Sequence, residues 1–195
     1  MVSEHGKVGR PRSEQARAAI LHAVDDLVVE LGYGAVTLKG IAQRAGVSRQ
    51  TVYRWWTTKA EILLEASATD ALQELDVPAH DDPADDLTAY LQALIAFLTT
   101  SDAGAAYRAL IGEAQHDQAV RDLLSGTDPI GSSAAAVIGR ALPGDALTIP
   151  MPQATAQLVG TVFFWILSGR PAGALDPREL AADFLRRAAA PPTRP

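Results

Sequence analysis

The stretch TLKGIAQRAGVSRQTVYRWWTTK, residues 37–59, decides the fold of the N-terminal part of the chain. It contains two short helical patterns, near 38–45 and 48–56, which are separated by Gly46-Val47. Gly46 can adopt the positive φ angle that a tight turn between two crossing helices demands. The apolar residues positioned to form a small core between these helices are Leu38, Ile41, Val47, Val52 and Trp56.

The second of these helices is predicted to present a polar side outward. Ser48 is a suitable N-cap, because a serine hydroxyl accepts a hydrogen bond from a free backbone N–H of the first turn. An exposed helix start with Arg, Gln, Thr and Tyr suits the major groove of DNA, where Arg and Gln pair with base edges and hydroxyls hold phosphates. The spacing alone leaves a second interpretation open, in which this is a helix pair with a solvated polar face. The outward residues are Arg49, Gln50, Thr51, Tyr53 and Arg54.

Helical periodicity continues on both sides of this stretch. Before it, apolar residues at three- and four-residue steps predict a helix over 13–31, with Ser13 as its N-cap and Gly32 as its stop. After it, a fourth helix is expected over 59–75, followed by an acidic, proline-containing loop over 76–86. Further helical patterns follow, without an alternating strand pattern or a glycine-rich phosphate loop. The sequence therefore predicts an all-α fold in which the fourth helix links two domains.

The charge is divided unevenly along the chain. Residues 1–59 carry nine Lys or Arg and five Asp or Glu, a net charge of +4, whereas residues 60–195 carry eight Arg and eighteen Asp or Glu, a net charge of −10. Attraction to phosphate is screened within about 10 Å in salt. The asymmetry therefore favours contact with a polyanion by the N-terminal part alone, although chance variation among solvated charges would also produce it.

The composition excludes several classes of protein. The chain has no cysteine, which excludes disulfides, thiol catalysis and cysteine-ligated zinc. Its four histidines share no helical face, and no nucleophile or carboxylate arrangement stands out, so we expect no enzyme activity, catalytic residue, cofactor or metal. The N-terminus lacks the apolar stretch of a signal peptide, and the densest apolar run, 158–167, is shorter than the roughly 20 residues that cross a bilayer. We expect a cytoplasmic protein that makes no membrane contact.

The chain resembles the tetracycline-repressor-like (TetR) family of transcriptional regulators over roughly residues 13–62. The helix before the motif ends in the Gly-aromatic-Gly segment 32–34, as the family pattern requires. Trp56 stands where Phe is more usual, and its larger ring should still serve as core. Gly40 lies inside the second helix, and the sequence gives no functional account of it. The other matching residues are Thr37-Leu38, Ile41-Ala42, Ala45-Gly46-Val47-Ser48, Thr51-Val52-Tyr53 and Lys59.

The resemblance implies a role in DNA binding for particular residues. Ser48, Arg49, Gln50, Thr51 and Arg54 would face the groove, and Thr37, Tyr53 and Lys59 would contact phosphates. A cation near the positive end of a helix dipole is locally unfavourable, so a nearby anion would also explain Lys59. Trp55 is open between a phosphate contact and packing on the first helix. Lys39 is the remaining residue of this motif that we expect to bind DNA.

A basic segment, KVGRPR, precedes the first helix at residues 7–12. It resembles flexible arms that lie in an A·T-rich minor groove, where the narrow width strengthens the negative potential. Arg10 and Arg12 are therefore added to the expected DNA-binding residues. The alternative is a disordered tail that only adds nonspecific charge.

The acidic C-terminal part is expected to dimerise and to hold an effector, as the resemblance implies. Residues 154–168 are apolar nearly all the way round, so this helix must be buried on more than one side, although a central core helix would look the same. The dimerisation candidates are Leu158, Val162, Ile166, Leu180 and Phe184. Aromatic residues around a cavity suit drug-like ligands, although each one alone is more often plain core. The ligand-binding candidates are Tyr90, Phe97, Tyr107, Leu110, Phe163 and Trp165.

These expectations combine into one description of the molecule. An N-terminal three-helix helix-turn-helix domain binds double-stranded DNA, and a larger helical domain binds a small-molecule effector and forms a homodimer, so that the effector releases a repressor from a palindromic operator. Two alternatives are a sequence-tolerant architectural DNA-binding protein without an effector, and an enzyme or ligand carrier with an incidental helix-turn-helix. The expected divisions are a flexible basic arm (1–12), the DNA-binding domain (13–58), the effector-binding and dimerisation domain (59–190) and a disordered tail (191–195).

Overall fold

A computed structural model describes residues 9–189 of the chain, with side chains from residue 13 onward. Within that range the fold is all-α: ten α-helices, three single-turn 3-10 helices and an isolated antiparallel bridge between Leu147 and Ala189. Among the described helices, none combines the length and the apolar composition that crossing a membrane requires. The helices are α1 (Gly9–Leu31), α2 (Leu38–Arg44), α3 (Arg49–Tyr53), α4 (Lys59–Glu74), α5 (Pro83–Thr100), α6 (Asp102–Glu113), α7 (Gln118–Thr127), α8 (Pro129–Ala141), α9 (Met151–Leu167) and α10 (Pro177–Ala188).

Three of these helices begin with the same dipeptide, Asp-Pro. Asp82, Asp128 and Asp176 are the N-caps of α5, α8 and α10, and each carboxylate accepts a hydrogen bond from a backbone N–H of the first turn at 2.8–2.9 Å. The proline that follows suits the first helical position, because its missing N–H would have had no partner there. The expected loop over 76–86 therefore ends earlier, since residues 83–86 already belong to α5.

The first helix also differs from expectation. It begins at Gly9 rather than at Ser13, so Ser13 lies inside the helix and is not its N-cap. The first turn accommodates Pro11, because the first four backbone N–H groups of a helix have no intrahelical acceptor. The predicted end at Leu31 is confirmed, and Gly32 follows with a φ of +75°.

The chain packs as two compact units, each with its own core. The first unit runs to Ser67 and also includes Ala105–Ser125. Its core joins α1, α2, α3 and the start of α4 to α6, the turn after it and α7, which contribute Ala106, Leu110, Ala114 and Val120. We expected residues 59–190 to form a single domain, whereas the packing groups part of that range with the N-terminal helices.

The second unit comprises Ala68–Gly104 and the residues from Gly126 onward. Its central element is α5, which packs against α8, α9 and α10. At Gly104, a Cβ atom would lie 1.7 Å from the backbone oxygen of Phe97, so only glycine permits this approach of α6 to α5. The largest fully buried side chains of α5 are Tyr90, Phe97, Leu87, Leu91, Leu94 and Leu98.

Candidate functional site

The helix pair α2–α3 is built by two side-chain caps and one glycine turn. The Thr37 hydroxyl accepts a hydrogen bond from Gly40 N at 3.0 Å and begins α2. Ser48 does the same for α3, with Oγ 3.1 Å from Thr51 N and 2.9 Å from Thr51 Oγ1. Between the two helices, Gly46 has a φ of +66°. The predicted N-cap role of Ser48 and the turn role of Gly46 are confirmed, and Thr37 is the N-cap of α2. Contacts of Ser48 and Thr37 with DNA stay predictions.

The structure also accounts for Gly40. A Cβ atom at this position would lie 3.3 Å from Thr37 Oγ1, which is tighter than ordinary van der Waals contact. Glycine therefore leaves room for the hydroxyl that caps the helix, at some cost in helix propensity.

The predicted core beneath the two helices is present. Ile41, Val52 and Trp56 are buried, and Leu38 and Val47 are half-buried against them. The Trp56 ring nitrogen donates to Glu65 Oε2 at 3.0 Å, which satisfies the one polar atom that the larger aromatic ring brings into the core.

The outer side of α3 is polar and unengaged at its start. The side chains of Arg49 and Gln50 are exposed and have no hydrogen-bond or ion-pair partner within the described part of the chain. An open depression of about 490 Å³ lies on this side and is lined by Ser48, Gln50, Thr51, Tyr53 and Arg54. Five of the residues expected at DNA therefore share one concave surface, and exposed Lys39 lies on the neighbouring helix α2.

Arg54 and Trp55 have contacts of their own. Arg54 donates to the Ser13 hydroxyl at 3.2 Å, and its guanidinium lies over the Trp55 ring at 4.4 Å. Trp55 is half-buried against the core of the first unit, with its ring 5.5 Å from that of Trp56 in an edge-to-face arrangement. Of the two interpretations left open by the sequence, packing is the one that this geometry favours for Trp55.

Lys59, the first residue of α4, is tied to the turn that follows α1. Its ammonium nitrogen lies 2.7 Å from the Tyr33 carbonyl oxygen, 3.4 Å from that of Gly34, and 4.1 Å from the centre of the Tyr33 ring. Burial, followed by the charges of Glu113 and Asp117, raises the pKa of Tyr33 to about 12. An external anion is therefore not needed to explain a lysine at this helix start.

Arg44, in the last turn of α2, is ion-paired, in contrast to Arg49 of α3. Arg44 binds Glu30 of α1 through both guanidinium branches, with Nη1 2.9 Å from Oε1, and also lies 3.5 Å from Asp26. The hydrogen bond from Arg44 lowers the pKa of Glu30. Sequence reasoning missed this pair, because Arg44 and Glu30 lie on different helices and fourteen residues apart. Arg44 therefore links α2 to α1, and its guanidinium is not free to contact DNA in the way that the guanidinium of Arg49 is.

Arg10 and Arg12, which were expected to act as a minor-groove arm, lie outside the residues whose side chains the structure describes. Their role in DNA binding stays a prediction.

The ligand-binding candidates are divided between the two packing units. Tyr90 and Phe97 are buried in the second unit, where the Tyr90 hydroxyl lies 2.9 Å from Ser133 Oγ, and burial raises the pKa of Tyr90 to about 12. Tyr107 and Leu110 belong to the first unit, and Leu110 is part of its core. Sequence reasoning did not anticipate this division, because nothing in the sequence shows that α6 packs with the N-terminal helices. Ligand binding by these residues stays a prediction.

The two remaining ligand-binding candidates lie on α9. Phe163 is half-buried, and Trp165 donates from its ring nitrogen to the Pro171 carbonyl at 2.9 Å. Trp165 therefore packs on the connection between α9 and α10. Within residues 9–189, no group of His, Asp or Glu side chains is arranged to hold a metal ion.

Three of the five dimerisation candidates face inward. Leu158, Val162 and Phe184 are 3%, 0% and 4% exposed within a single chain, so the chain's own core covers most of their surface, while Ile166 and Leu180 are half-buried. A contact of these five residues with a partner stays a prediction. The outer side of α9 carries apolar residues instead: Phe164 is 64% exposed and Leu167 is 45% exposed. A helix that is apolar nearly all round has two such sides, and the sequence pattern alone does not say which one the chain's own core covers.

Comparisons with known proteins agree with this architecture. Residues 20–66 match the family model "Bacterial regulatory proteins, tetR family", and residues 77–184 match "Tetracyclin repressor-like, C-terminal domain". The helix-turn-helix-type transcriptional regulator YdeS of Bacillus subtilis is 39% identical over 112 residues, which cover 57% of this chain and 56% of that protein. The similarity thus spans about half the length of this relative.

Solved structures share the fold along most of the chain. The TetR family transcription regulator SCO0332 has a TM-score of 0.72 at 27% identity, covering 88% of this chain and 97% of its own. NalD of Pseudomonas aeruginosa, the secondary repressor of the MexAB-OprM multidrug efflux pump, has a TM-score of 0.56 at 21% identity, covering 91% and 97%. With one family model spanning the helix-turn-helix and a second spanning more than half of the chain, this protein belongs to the TetR family of DNA-binding transcriptional regulators.

Proposed function

We propose that the protein is a homodimeric repressor that binds a palindromic operator and is released from it by a small apolar or aromatic effector. The observation that carries the DNA-reading part of this proposal is the free outer side of α3. The side chains of Arg49 and Gln50 have no internal partner among the described residues, although both are rich in hydrogen-bonding groups. Arg pairs with the O6 and N7 atoms of guanine, and Gln with the N6 and N7 atoms of adenine.

The remaining contacts follow from the surface around Arg49 and Gln50. Tyr53 is exposed on the same depression and reaches outward, as a phosphate contact requires. Lys39 on α2 and Lys59 at the start of α4 add positive charge on the helices that precede and follow α3 in the chain. Phosphate contacts of this kind fix the position of the helix, and the base contacts supply the sequence preference.

A dimer is proposed because one short helix reads only a few base pairs. Two heads related by a two-fold axis would bind half-sites about 34–36 Å apart, one helical turn of DNA. We place the second copy on the outer side of α9, where Phe164 and Leu167 are exposed. A groove of about 320 Å³ between α9 and α10 lies beside it, lined by Ala156, Gln157, Leu158, Gly160, Thr161, Leu180, Asp183, Phe184 and Arg187.

Gly160 supports this placement of the dimer. A Cβ atom added there would have nothing within 4 Å, so the helix surface is open at this residue. Two copies of α9 that crossed at Gly160 would approach closely, and the two-fold axis would bring Phe164 of each copy near residue 156 of the other. The aromatic side chain would then fill the groove beside α10.

We place the effector in the second unit, in a groove between the end of α4 and α8. The groove has a volume of about 280 Å³, at the small end for a ligand site, and its walls are mostly apolar. Its lining residues are Leu72, Leu75, Asp76, Val77, Ser133, Ala136, Val137 and Arg140. Because α4 starts at Lys59, a ligand at its other end acts on a helix that begins beside the proposed DNA contacts.

Release requires the effector to prefer one state of the protein. A ligand shifts the equilibrium only by its difference in affinity for the DNA-binding and released arrangements of the heads, and the coupling is reciprocal. The operator should therefore weaken effector binding by the same factor as the effector weakens operator binding. Because the proposed target is bacterial chromosomal DNA, we place the protein in the cytoplasm.

The test is selection of binding sites from a random duplex library, followed by gel shifts and a reporter driven by the selected site. We expect a palindrome with two half-sites one helical turn apart, and reporter activity that falls when the protein is expressed. Equal affinity for selected and random duplexes would instead favour a sequence-tolerant architectural protein. Reporter activity that rises with the protein would contradict repression.

A further inference from the structure

The contact between Lys59 and Tyr33 links two segments that are 26 residues apart. Tyr33 lies in the single-turn helix Tyr33–Ala35 after α1, and Lys59 opens α4. The ammonium is held from two directions, by the Tyr33 carbonyl at 2.7 Å and by the face of the ring at 4.1 Å. The position of this charge is thus set by a residue that lies far from it in the sequence.

This contact offsets an unfavourable interaction between the charge of Lys59 and the dipole of α4. A positive side chain is disfavoured at the N-terminus of a helix, where the helix dipole is itself positive. A carbonyl oxygen and the negative face of an aromatic ring offset this repulsion without adding a carboxylate. Because no acidic side chain among the described residues pairs with Lys59, its charge stays available to an external anion.

The geometry also leaves capacity for one more partner. An ammonium group has three N–H donors, and among the described residues two carbonyl oxygens accept from it, that of Tyr33 at 2.7 Å and, more weakly, that of Gly34 at 3.4 Å. The lysine side chain is otherwise a flexible four-carbon stem with a strongly hydrated charge. Holding the stem before DNA arrives reduces the entropy lost when a phosphate is bound.

We propose that Tyr33 is a positioning residue for DNA binding, which holds the ammonium of Lys59 at the start of α4 where a backbone phosphate meets it. The inference rests on the proposed contact between Lys59 and DNA. The ring face and the backbone carbonyl make the contact, so the Tyr33 hydroxyl is dispensable for it. The hydroxyl belongs to the side that faces the negative charges of Glu113 and Asp117, which, after burial, are the causes of the raised pKa of Tyr33.

Two substitutions of Tyr33 separate the ring from the hydroxyl. Tyr33→Phe keeps the aromatic face and Tyr33→Leu removes it, while both keep the backbone carbonyl. Affinity for a random 24-bp duplex is measured by fluorescence anisotropy across a series of salt concentrations, so no operator is required. Each lost phosphate contact lowers the salt slope by about 0.9, which corresponds to about eightfold in affinity at 0.1 M salt for each head.

The expected pattern is specific. Lys59→Met should lose about eightfold per head, and Tyr33→Leu most of that loss, whereas Tyr33→Phe should change affinity by less than about twofold. Lys59→Arg should retain most of the affinity, because a guanidinium also stacks on an aromatic face. Equal losses in the two Tyr33 variants, or an unchanged salt slope in Lys59→Met, would overturn the proposal.

A second measurement uses the wild-type protein and does not depend on whether a variant folds. The chain has only three lysines, Lys7, Lys39 and Lys59, so their side-chain NMR signals are few. The ring current of Tyr33 should move the Lys59 side-chain signals upfield, and adding the duplex should shift them further. Unshifted signals, or signals that do not respond to DNA, would overturn the proposal. If selection yields no operator, the repressor proposal fails, while the salt slopes on random DNA still decide the role of Tyr33.

Discussion

Arg140, in the last turn of α8, donates two hydrogen bonds to the buried carboxylate of Asp86 in the first turn of α5, at 2.9 and 3.2 Å. Asp86 is 1% exposed and also accepts from His80 N at 2.7 Å. The pair therefore joins α5, α8 and the segment before α5 within the second unit. It is the buried ionic contact on which the stability of that unit should depend most.

Replacing Asp86 with Asn should destabilise the protein by about 2 kcal/mol. Asparagine can still accept from His80 N, but it leaves Arg140 without its counter-charge, and the partly exposed guanidinium recovers only some hydration. Chemical denaturation checks the value. Asp122→Asn is the control, because that exposed carboxylate bonds only to Gln118 of its own helix among the described residues, and it should stay within about 0.5 kcal/mol of wild type. An equal effect of both variants would contradict this account.

The same pair predicts a pH dependence. Burial alone would raise the pKa of Asp86, but the hydrogen bonds from Arg140 and His80 and the charge of Arg140 outweigh it and hold the pKa below its usual value of 3.8. The folded state therefore gains stability from ionised Asp86 above about pH 4, and loses it as the pH falls through the lowered pKa. The difference in unfolding free energy between wild type and Asp86→Asn should shrink below pH 4. A difference that grows in acid would have the wrong sign.

Two glycine-to-alanine substitutions, one in the turn between α2 and α3 and one in α6, should have different effects on the stability of the protein. Gly46→Ala forces a side chain into the left-handed region and should destabilise the protein by about 1–2 kcal/mol. Gly112→Ala lies in α6, where a Cβ atom has nothing within 4 Å, and should be neutral or stabilising by up to about 1 kcal/mol. Thermal unfolding of both variants, which belong to the same packing unit, measures the contrast. Equal shifts in Tm would show that the left-handed turn is not needed.

The two arginines of the helix pair predict different failures. Arg49→Ala should reduce discrimination between the selected site and a site with one changed base pair by about 1–3 kcal/mol, while leaving Tm unchanged. Arg44→Ala breaks the contacts with Glu30 and Asp26 and should lower Tm, with its base preference intact. Competition binding against a panel of single-base variants, paired with calorimetry, separates the two effects. A loss of base preference in Arg44→Ala alone would exchange the roles assigned here.

The outer side of α9 predicts the effect of a charge at the proposed dimer interface. Phe164→Glu should convert the dimer into a monomer and weaken operator binding, because a buried charge would lie between two copies of the same helix. Leu72→Glu is the matched control, since Leu72 is an equally exposed apolar residue on α4 and should leave the dimer intact. Sedimentation equilibrium measures the oligomeric state of both variants, and a gel shift measures their operator binding. A dimer that persists in Phe164→Glu would place the interface elsewhere.

The helix-turn-helix could be predicted from sequence because its rules are local. Gly46 and Ser48 follow from the conformations that glycine and serine favour, and Ile41, Val52 and Trp56 follow from helical spacing. The caps at Asp82, Asp128 and Asp176 obey equally local rules. The start of α5 at Pro83 differs from the expected loop, because the acidic, proline-containing composition of residues 76–86 favours a loop whereas the Asp82-Pro83 dipeptide favours a helix start.

The contacts between distant segments could not be predicted. Leu110 and Val120 lie in the range that the sequence assigns to the C-terminal domain, yet they complete the core around α1 and α4. Helical periodicity shows that a helix has an apolar face, but it does not show which of the two cores that face packs against. The same limit applies to α9, where Val162 and Phe164 are both apolar but only Val162 faces the chain's own core. Lys59 could be recognised from its match to the family pattern. Its contact with Tyr33 could not, because the fold brings together two residues that are 26 positions apart in the sequence.

The central claim is that α3, capped by Ser48, presents Arg49 and Gln50 to base edges in the major groove. Replacing each purine of the selected site in turn by its 7-deaza analogue removes a major-groove acceptor, N7, without altering the minor groove or the phosphates. We expect affinity to fall about tenfold or more at a few positions in two clusters, one helical turn apart, and Arg49→Ala to lose this sensitivity at one position in each cluster. If no 7-deaza substitution lowered affinity by more than about twofold, α3 would not read bases there, and the claim would be contradicted.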